Sequence, residues 1–262
     1  MEILVCVKQV PGTTAVEVDP VTGVLKRDGV DSKMNPYDLF AIETALRIKK
    51  ENNATIKAIT MGPPQAKTVI KESFSMGVDE GAIISDRKFG GADVLATSYT
   101  LSQGIKKISN PDLIICGKQT TDGDTAQVGS EIAEFLNIPH VTNVTEIIEV
   151  KENSIIVEID LPTSMEVCEI VYPCLITVEK DIFQPRLPSF KLKMATKNRE
   201  IPMFTLNDFK DKDENHYGLN GSPTQVKKIF PPTPNTDKNV LRGSSEELTE
   251  ALFNKIVDLK IL

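Results

Sequence analysis

PDLIICGKQTTDGDTAQVGSEIAEFL, residues 111–136, decides how the rest of the chain is read. The apolar run at 113–116 has the length and composition of a buried strand, and Gly117 ends it. A polar loop follows from Lys118 through Gln119 to Thr125, with Thr120, Thr121, Asp122, Gly123 and Asp124 between. After Ala126 and Gln127, the apolar residues Val128, Ile132, Phe135 and Leu136 fall at helical spacing. Strand, loop and helix in this order put the loop at the carboxyl end of a strand, where parallel α/β sheets bind ligands. Free N–H groups at the helix start favour a phosphate, and the three threonines add hydroxyl donors. The competing reading is an ordinary capped helix, with Asp124 or Thr125 at its N-cap. Neither standard phosphate-loop pattern, GxGxxG or GxxxxGK[ST], is present. Asp122 and Asp124 would repel a phosphate they faced, so they are expected to cap or brace the loop, or to take ribose hydroxyls.

Outward from this stretch the same alternation repeats. Residues 3–10 read as a buried strand ended by Pro11-Gly12, and residues 16–23 as a short hairpin around DPVTG. Asn35-Pro36-Tyr37-Asp38 opens a helix, with Asn35 as N-cap and Pro36 at its first position. A strand at 55–60, a helix at 65–75, a strand at 82–85, a glycine loop at 89–93 and a helix at 95–108 follow. This is the pattern of an α/β fold with a Rossmann-like parallel sheet. Residues 144–178 read as strands, with 155–159 and 167–171 as a hairpin, so antiparallel strands should be added to that sheet. The α/β domain is placed at residues 1–190. Residues 191–262 carry basic, polar and proline-spaced stretches and regain helical spacing only at 246–261. They are expected to form an extended C-terminal arm that lies on a partner.

Composition removes several classes of function. A net charge of −7 over 262 residues argues against a nucleic-acid partner. No apolar run approaches the ~20 residues of a membrane span. The strand-like N-terminus, with an acid at position 2, reads against a signal peptide, so a cytoplasmic location is expected. Cys6, Cys116, Cys168 and Cys174 form no CxxC and read as buried thiols. With His140 and His216 the only histidines, no metal-ligand cluster and no Ser-His-Asp set is expected, and no residue stands out as a general acid or base.

Several stretches in order resemble the beta subunit of electron transfer flavoprotein: VCVKQV at 5–10, Thr22-Gly23-Val24 through Asn35-Pro36-Tyr37-Asp38, Met61-Gly62-Pro63 with Ser75-Met76-Gly77-Val78-Asp79, and Gly117-Lys118-Gln119 through Gly129. Gln184-Pro185-Arg186 also fits. The acid-glycine-glycine turn usual between two late strands is replaced here by Asp160-Leu161-Pro162-Thr163, which puts the local turn geometry in question. The resemblance implies an adenine nucleotide alpha-hydrolase-like fold and a heterodimer with an alpha subunit that carries its own FAD.

The resemblance also implies a nucleotide site made of Cys6, Asn35, Pro36, Tyr37, Asp38, Met61 and the run from Gly117 to Val128. In electron-bifurcating members that nucleotide is FAD beside an NAD(H) site. Electrons then reach ferredoxin or flavodoxin and, through the alpha-subunit FAD, an acyl-CoA dehydrogenase-type flavoenzyme. In other members it is AMP. Gly90-Gly91-Ala92-Asp93, with Thr97 or Ser98 as donors, looks like the bifurcating form and favours FAD; the alternative there is a plain helix start capped by Asp93. Residues 184–199 match a segment that docks on the dehydrogenase, with Phe190 at the anchor position, against the alternative of a core phenylalanine.

Overall fold

The structure, a computed structural model, describes residues 1–12, 32–227, 238 and 240–261. The hairpin expected at 16–23 lies outside them. The strands are β1 (Glu2–Cys6), β2 (Gln9–Pro11), β3 (Ser32–Met34), β4 (Thr55–Met61), β5 (Glu80–Ile84), β6 (Leu113–Gly117), β7 (His140–Val150), β8 (Ser154–Leu161), β9 (Ser164–Val171), β10 (Cys174–Val178) and β11 (Met203–Phe204). The helices are α1 (Pro36–Asn52), α2 (Lys67–Met76), α3 (Val94–Ile108), α4 (Val128–Leu136), α5 (Phe190–Ala195) and α6 (Ser245–Asp258).

Nine strands form one sheet in the order β11-β5-β4-β1-β6-β10-β7-β8-β9. Pairing is parallel from β11 to β7, and β8 and β9 add to β7 as antiparallel strands. The central strands are apolar on both faces because both are covered. Ile3, Val5, Ile56, Leu113 and Ile115 pack with Ala41, Ile42, Ala45 and Ile70 of α1 and α2. Leu4, Ile59, Ile114 and Leu175 pack with Leu101 and Ile105 of α3 and Ile132 and Ala133 of α4. The fold is therefore the expected α/β class, a mostly parallel sheet with antiparallel strands added. β1 has β4 on one side and β6 on the other, so the strand order reverses there, and the loops after β1 and β6 open onto one crevice.

Two local expectations are refined. The strand expected over 3–10 breaks after Cys6, and β2 pairs instead with β3. The turn between β8 and β9 closes through Pro162-Thr163, with Leu161 opposite Ser164, so the missing glycines do not prevent a tight hairpin. By contact density one compact unit runs to Lys227, and the described residues from 238 on form a second unit. The reason is burial: β11 adds to the sheet beside β5, and Leu206, Phe209 and Tyr217 join the core around Phe89. The Phe89 ring stacks on Phe209 at 5.6 Å and tilts against Tyr217 at 5.5 Å. In the second unit α6 is closed by a capping box between Ser244 and Glu247, and none of its side chains is buried.

Candidate functional site

The crevice begins at Lys8, two residues beyond the end of β1. Its backbone N–H donates to Asp38 Oδ2 at 2.7 Å, and its Nζ pairs with Asp122 Oδ1 at 2.7 Å. Asn35 sits at the N-cap of α1 as expected, but its side chain does not cap the helix. Its Nδ2 donates to Asp38 Oδ1 at 2.8 Å and to the Gln119 carbonyl at 2.9 Å, and its Oδ1 accepts from the Thr121 N–H at 3.3 Å. Asn35 thus ties the start of α1 to the loop after β6. Pro36 fills the first helical position, where no N–H is needed. Tyr37 OH accepts from Gln119 Nε2 at 3.3 Å, and that same amide nitrogen reaches Asp124 Oδ1 at 2.5 Å.

Asp38 is buried within this network. Burial pushes its carboxyl up to about 7, against the pull of the Asn35 and Lys8 hydrogen bonds. Burial also raises Asp122, but the Lys8 ammonium and the Thr120 hydroxyl outweigh it and hold that carboxyl below its usual range. Lys118 is taken by Glu179 at 2.5 Å. Both lysines beside the loop are therefore neutralised by acids of this chain. What remains for an anion is backbone N–H and hydroxyl groups.

The free N–H groups lie at the start of α4. Gln127 holds the N-cap position with no side-chain hydrogen bond, so neither Asp124 nor Thr125 caps the helix, as the competing reading of the sequence had it. The ladder starts with the Glu131 N–H donating to the Gln127 carbonyl, which leaves the first-turn N–H groups of Val128, Gly129 and Ser130 ahead of it. Asp124 and Ala126 have left-handed φ values of 52° and 54°, and Gln127 returns to right-handed φ and ψ. Such alternation turns successive N–H groups toward one concavity that suits an anion. A left-handed alanine costs ~1–2 kcal/mol, strain of the kind stored at working sites. Thr121, Gly123, Asp124, Thr125, Ala126 and Gln127 are all exposed. Two glycines allow the close packing below. A Cβ on Gly117 would lie 2.7 Å from Asp38 Oδ1, and one on Gly129 would lie 2.6 Å from Thr177 Cγ2.

Cys6 and Met61 stand at the carboxyl ends of β1 and β4, partly buried against the α3/α4 side of the core. Cys6 and Cys168 are partly exposed, whereas Cys116 and Cys174 are the fully buried thiols; the expectation of four buried cysteines is corrected to that extent. Thr97 lies in the first turn of α3, its N–H bonded to the Asp93 carbonyl. The neighbouring Ser98 is fully buried, donating to the Val94 carbonyl at 2.8 Å and lying 3.4 Å from the Val128 carbonyl, so it joins the two helix starts and is not a free donor. Asp93 caps α3 through the Ala96 N–H, as the plain helix-start reading had it. Lys8, Glu179 and Thr177 escaped the sequence reading, because their roles come from long-range partners. Only the position of Lys8, just past a strand end, signalled anything.

A second surface is built around residues 184–199. Glu43, buried on α1, accepts from Arg186 Nε at 2.7 Å, Arg186 Nη2 at 3.0 Å and Arg47 Nε at 3.1 Å. The Ser189 N–H reaches the Ser75 carbonyl at 2.8 Å. Leu187, between these anchors, is 88% exposed, and Phe190, the residue after Ser189 and the first of α5, is 77% exposed, so Phe190 is not a core residue.

The chain matches the model of the electron transfer flavoprotein domain over residues 22–209. It is 42% identical to the electron transfer flavoprotein subunit beta of Megasphaera elsdenii over the whole of both chains. It is 43% identical, again over the whole of both, to the caffeyl-CoA reductase-Etf complex subunit CarD of Acetobacterium woodii. Protein FixA of Azotobacter vinelandii is 38% identical over 98% of this chain and 94% of that one. A crevice at the reversal of a parallel sheet, an uncapped helix start beside it and likeness along the full length agree: the chain belongs to the electron transfer flavoprotein family, as a beta subunit working in electron transfer.

Proposed function

We propose that the crevice between the loops after β1 and β6 holds FAD, and that the chain is the beta subunit of an electron-bifurcating electron transfer flavoprotein. The uncapped start of α4, preceded by the left-handed Ala126, carries this reading. The residues fit the diphosphate of such a cofactor: the α4 N–H groups and the hydroxyls of Thr121 and Thr125 are donors, while Lys8, Lys118 and the Thr120 hydroxyl are already paired. Asn35 and Asp38 hold the loop in register with β1. FAD supplies the electron acceptance from NAD(H) that no side chain here provides.

The partners implied are an alpha subunit with its own FAD, an acyl-CoA dehydrogenase-type flavoenzyme docking at Phe190, and ferredoxin or flavodoxin, in the cytoplasm. The C-terminal arm, whose α6 leaves Leu252, Phe253 and Val257 exposed, packs on the alpha subunit. One observation favours AMP instead. The Gly90–Asp93 neck is already packed by its own chain: the Leu219 N–H donates to the Gly90 carbonyl at 3.1 Å, and a Cβ on Gly91 would lie 3.4 Å from Leu219.

Cofactor counting on the purified heterodimer separates the two. Two FAD per heterodimer supports bifurcation, and a single FAD with a single AMP ends it. Phe190→Ala should weaken electron delivery to the dehydrogenase about tenfold or more, as loss of an aromatic anchor does, with cofactor content unchanged.

A further inference from the structure

We propose that Cys6 and Cys116 form a redox-sensitive thiol pair that closes a disulfide across β1 and β6 on the floor of the crevice. The two residues are direct partners in the parallel register of these strands. Both belong to the row that faces α3 and α4: Leu4, Ile114 and Cys116 share that core with Cys6 packed against it, whereas Ile3, Val5 and Ile115 face the other side. Neighbouring strands run ~4.8 Å apart, inside the ~4.4–6.8 Å range over which two α-carbons can be bridged by a disulfide. No strand needs to shift to bring the sulfurs together. Cys168, on β9, and Cys174, at the start of β10, are not register partners of each other or of this pair.

The two thiols differ in access, which sets the order of events. Cys6 is partly exposed at the open end of β1, and Cys116 is buried. The bond from Cys6 and burial together raise the Cys116 thiol well above its usual value, so it stays protonated and unreactive toward solvent. A small-molecule disulfide is attacked by the Cys6 thiolate, which releases one small thiolate and leaves a mixed disulfide on Cys6. Cys116 then loses its proton and displaces the second small thiolate. Two protein thiols become one disulfide, and two electrons and two protons leave with the small disulfide as two thiols. Because Cys116 must ionise to complete the exchange, the second step quickens as pH rises. The bond ties together the ends of the two strands whose loops form the crevice.

A corollary rests on the nucleotide reading given above: an adenine nucleotide seated at the end of β1 covers Cys6, so the pair reacts when the site is empty. The test exposes the heterodimer, before and after its nucleotide is stripped, to oxidised glutathione, then blocks free thiols and maps disulfide-linked peptides. The expected result is a Cys6–Cys116 crosslink in the stripped protein, slowed at least tenfold by saturating nucleotide, absent in Cys6→Ser and retained in Cys168→Ser. Glutathione held on Cys6 with Cys116 still free, or a crosslink through Cys168 or Cys174, overturns the pair. If nucleotide slows alkylation of Cys6 but no crosslink ever forms, the pair fails and the nucleotide reading stands. If the crosslink forms equally fast with saturating nucleotide, the pair stands and the placement of the nucleotide over Cys6 fails.

Discussion

Two helix starts lie side by side in this fold, and they end differently. At α3 Asp93 accepts the Ala96 N–H at 3.1 Å, gives its own N–H to Ser222 Oγ at 2.8 Å, and takes the Thr224 N–H at 3.0 Å and hydroxyl at 2.7 Å. Burial raises the Asp93 carboxyl, but the Thr224 and backbone donors outweigh it and hold it below its usual range. At α4 the residues before the helix are also acidic and hydroxylic, yet Gln127 caps nothing, and Asp124 and Ala126 are turned left-handed. One start is capped by the chain itself. The other is held open by Asn35, Lys8 and Gln119, which hold the loop from behind. A helix start capped by its own chain serves structure; one kept open at the cost of strain is where the proposed nucleotide phosphate would sit.

The largest test acts on the brace behind the open start. With its carboxyl raised from 3.8 to about 7, the folded protein holds the Asp38 proton more tightly than the unfolded chain does. The stability this contributes is full below pH ~4 and is lost as pH rises through ~7, a swing of up to ~4 kcal/mol. Asp38→Asn should flatten that fall in urea-unfolding midpoints between pH 4 and 7, and parallel curves for the two proteins would show that Asp38 is ionised throughout. Next comes Gly117→Ala, whose methyl meets Asp38 and Tyr37 within 2.8 Å. It should cost ~1–3 kcal/mol in unfolding free energy and reduce nucleotide content, since it pushes α1 and the loop apart.

Asp93→Ala removes the cap of the closed start. It should cost ~1–2 kcal/mol and leave nucleotide content as it was. If it emptied the crevice, the contrast between the two starts would break. The smallest effect is the converse change. Gln127→Asp gives α4 the cap it lacks and should raise thermal stability of the nucleotide-free protein by about 1 kcal/mol while weakening nucleotide binding. Equal nucleotide affinity would mean that the α4 start does not hold the phosphate.

The alternation of apolar runs and helical stripes from residue 3 to 178 was enough to read the α/β sheet, since each element announces itself through local spacing. The loop from Lys118 to Thr125 was read as a phosphate loop for the same reason, from its place between a strand and a helix. Its capping was not: an acid before a helix looks alike at Asp93 and at Asp124, and what separates them is that Asp93 meets Ser222 and Thr224, more than a hundred residues away, whereas Asp124 meets Gln119 within its own loop. Ser98 looked like a free donor and is buried, because the sequence does not show which turn of α3 faces α4. The stretch beyond residue 190 was expected to form an arm that lies on a partner. Its apolar residues Leu206, Phe209 and Tyr217 find a core already formed around Phe89.

By itself the sequence determined the class of fold, the order of its elements and the family, all of which follow from spacing and motif along the chain. The tertiary structure alone decided which helix start stays open, that Lys8 and Lys118 are spent on Asp122 and Glu179, that Asp38 is buried, and that Cys6 stands beside Cys116. Each of these depends on groups far apart in the chain meeting at hydrogen-bond or strand spacing. Charge, burial and register are properties of the packed sheet, and no local pattern carries them.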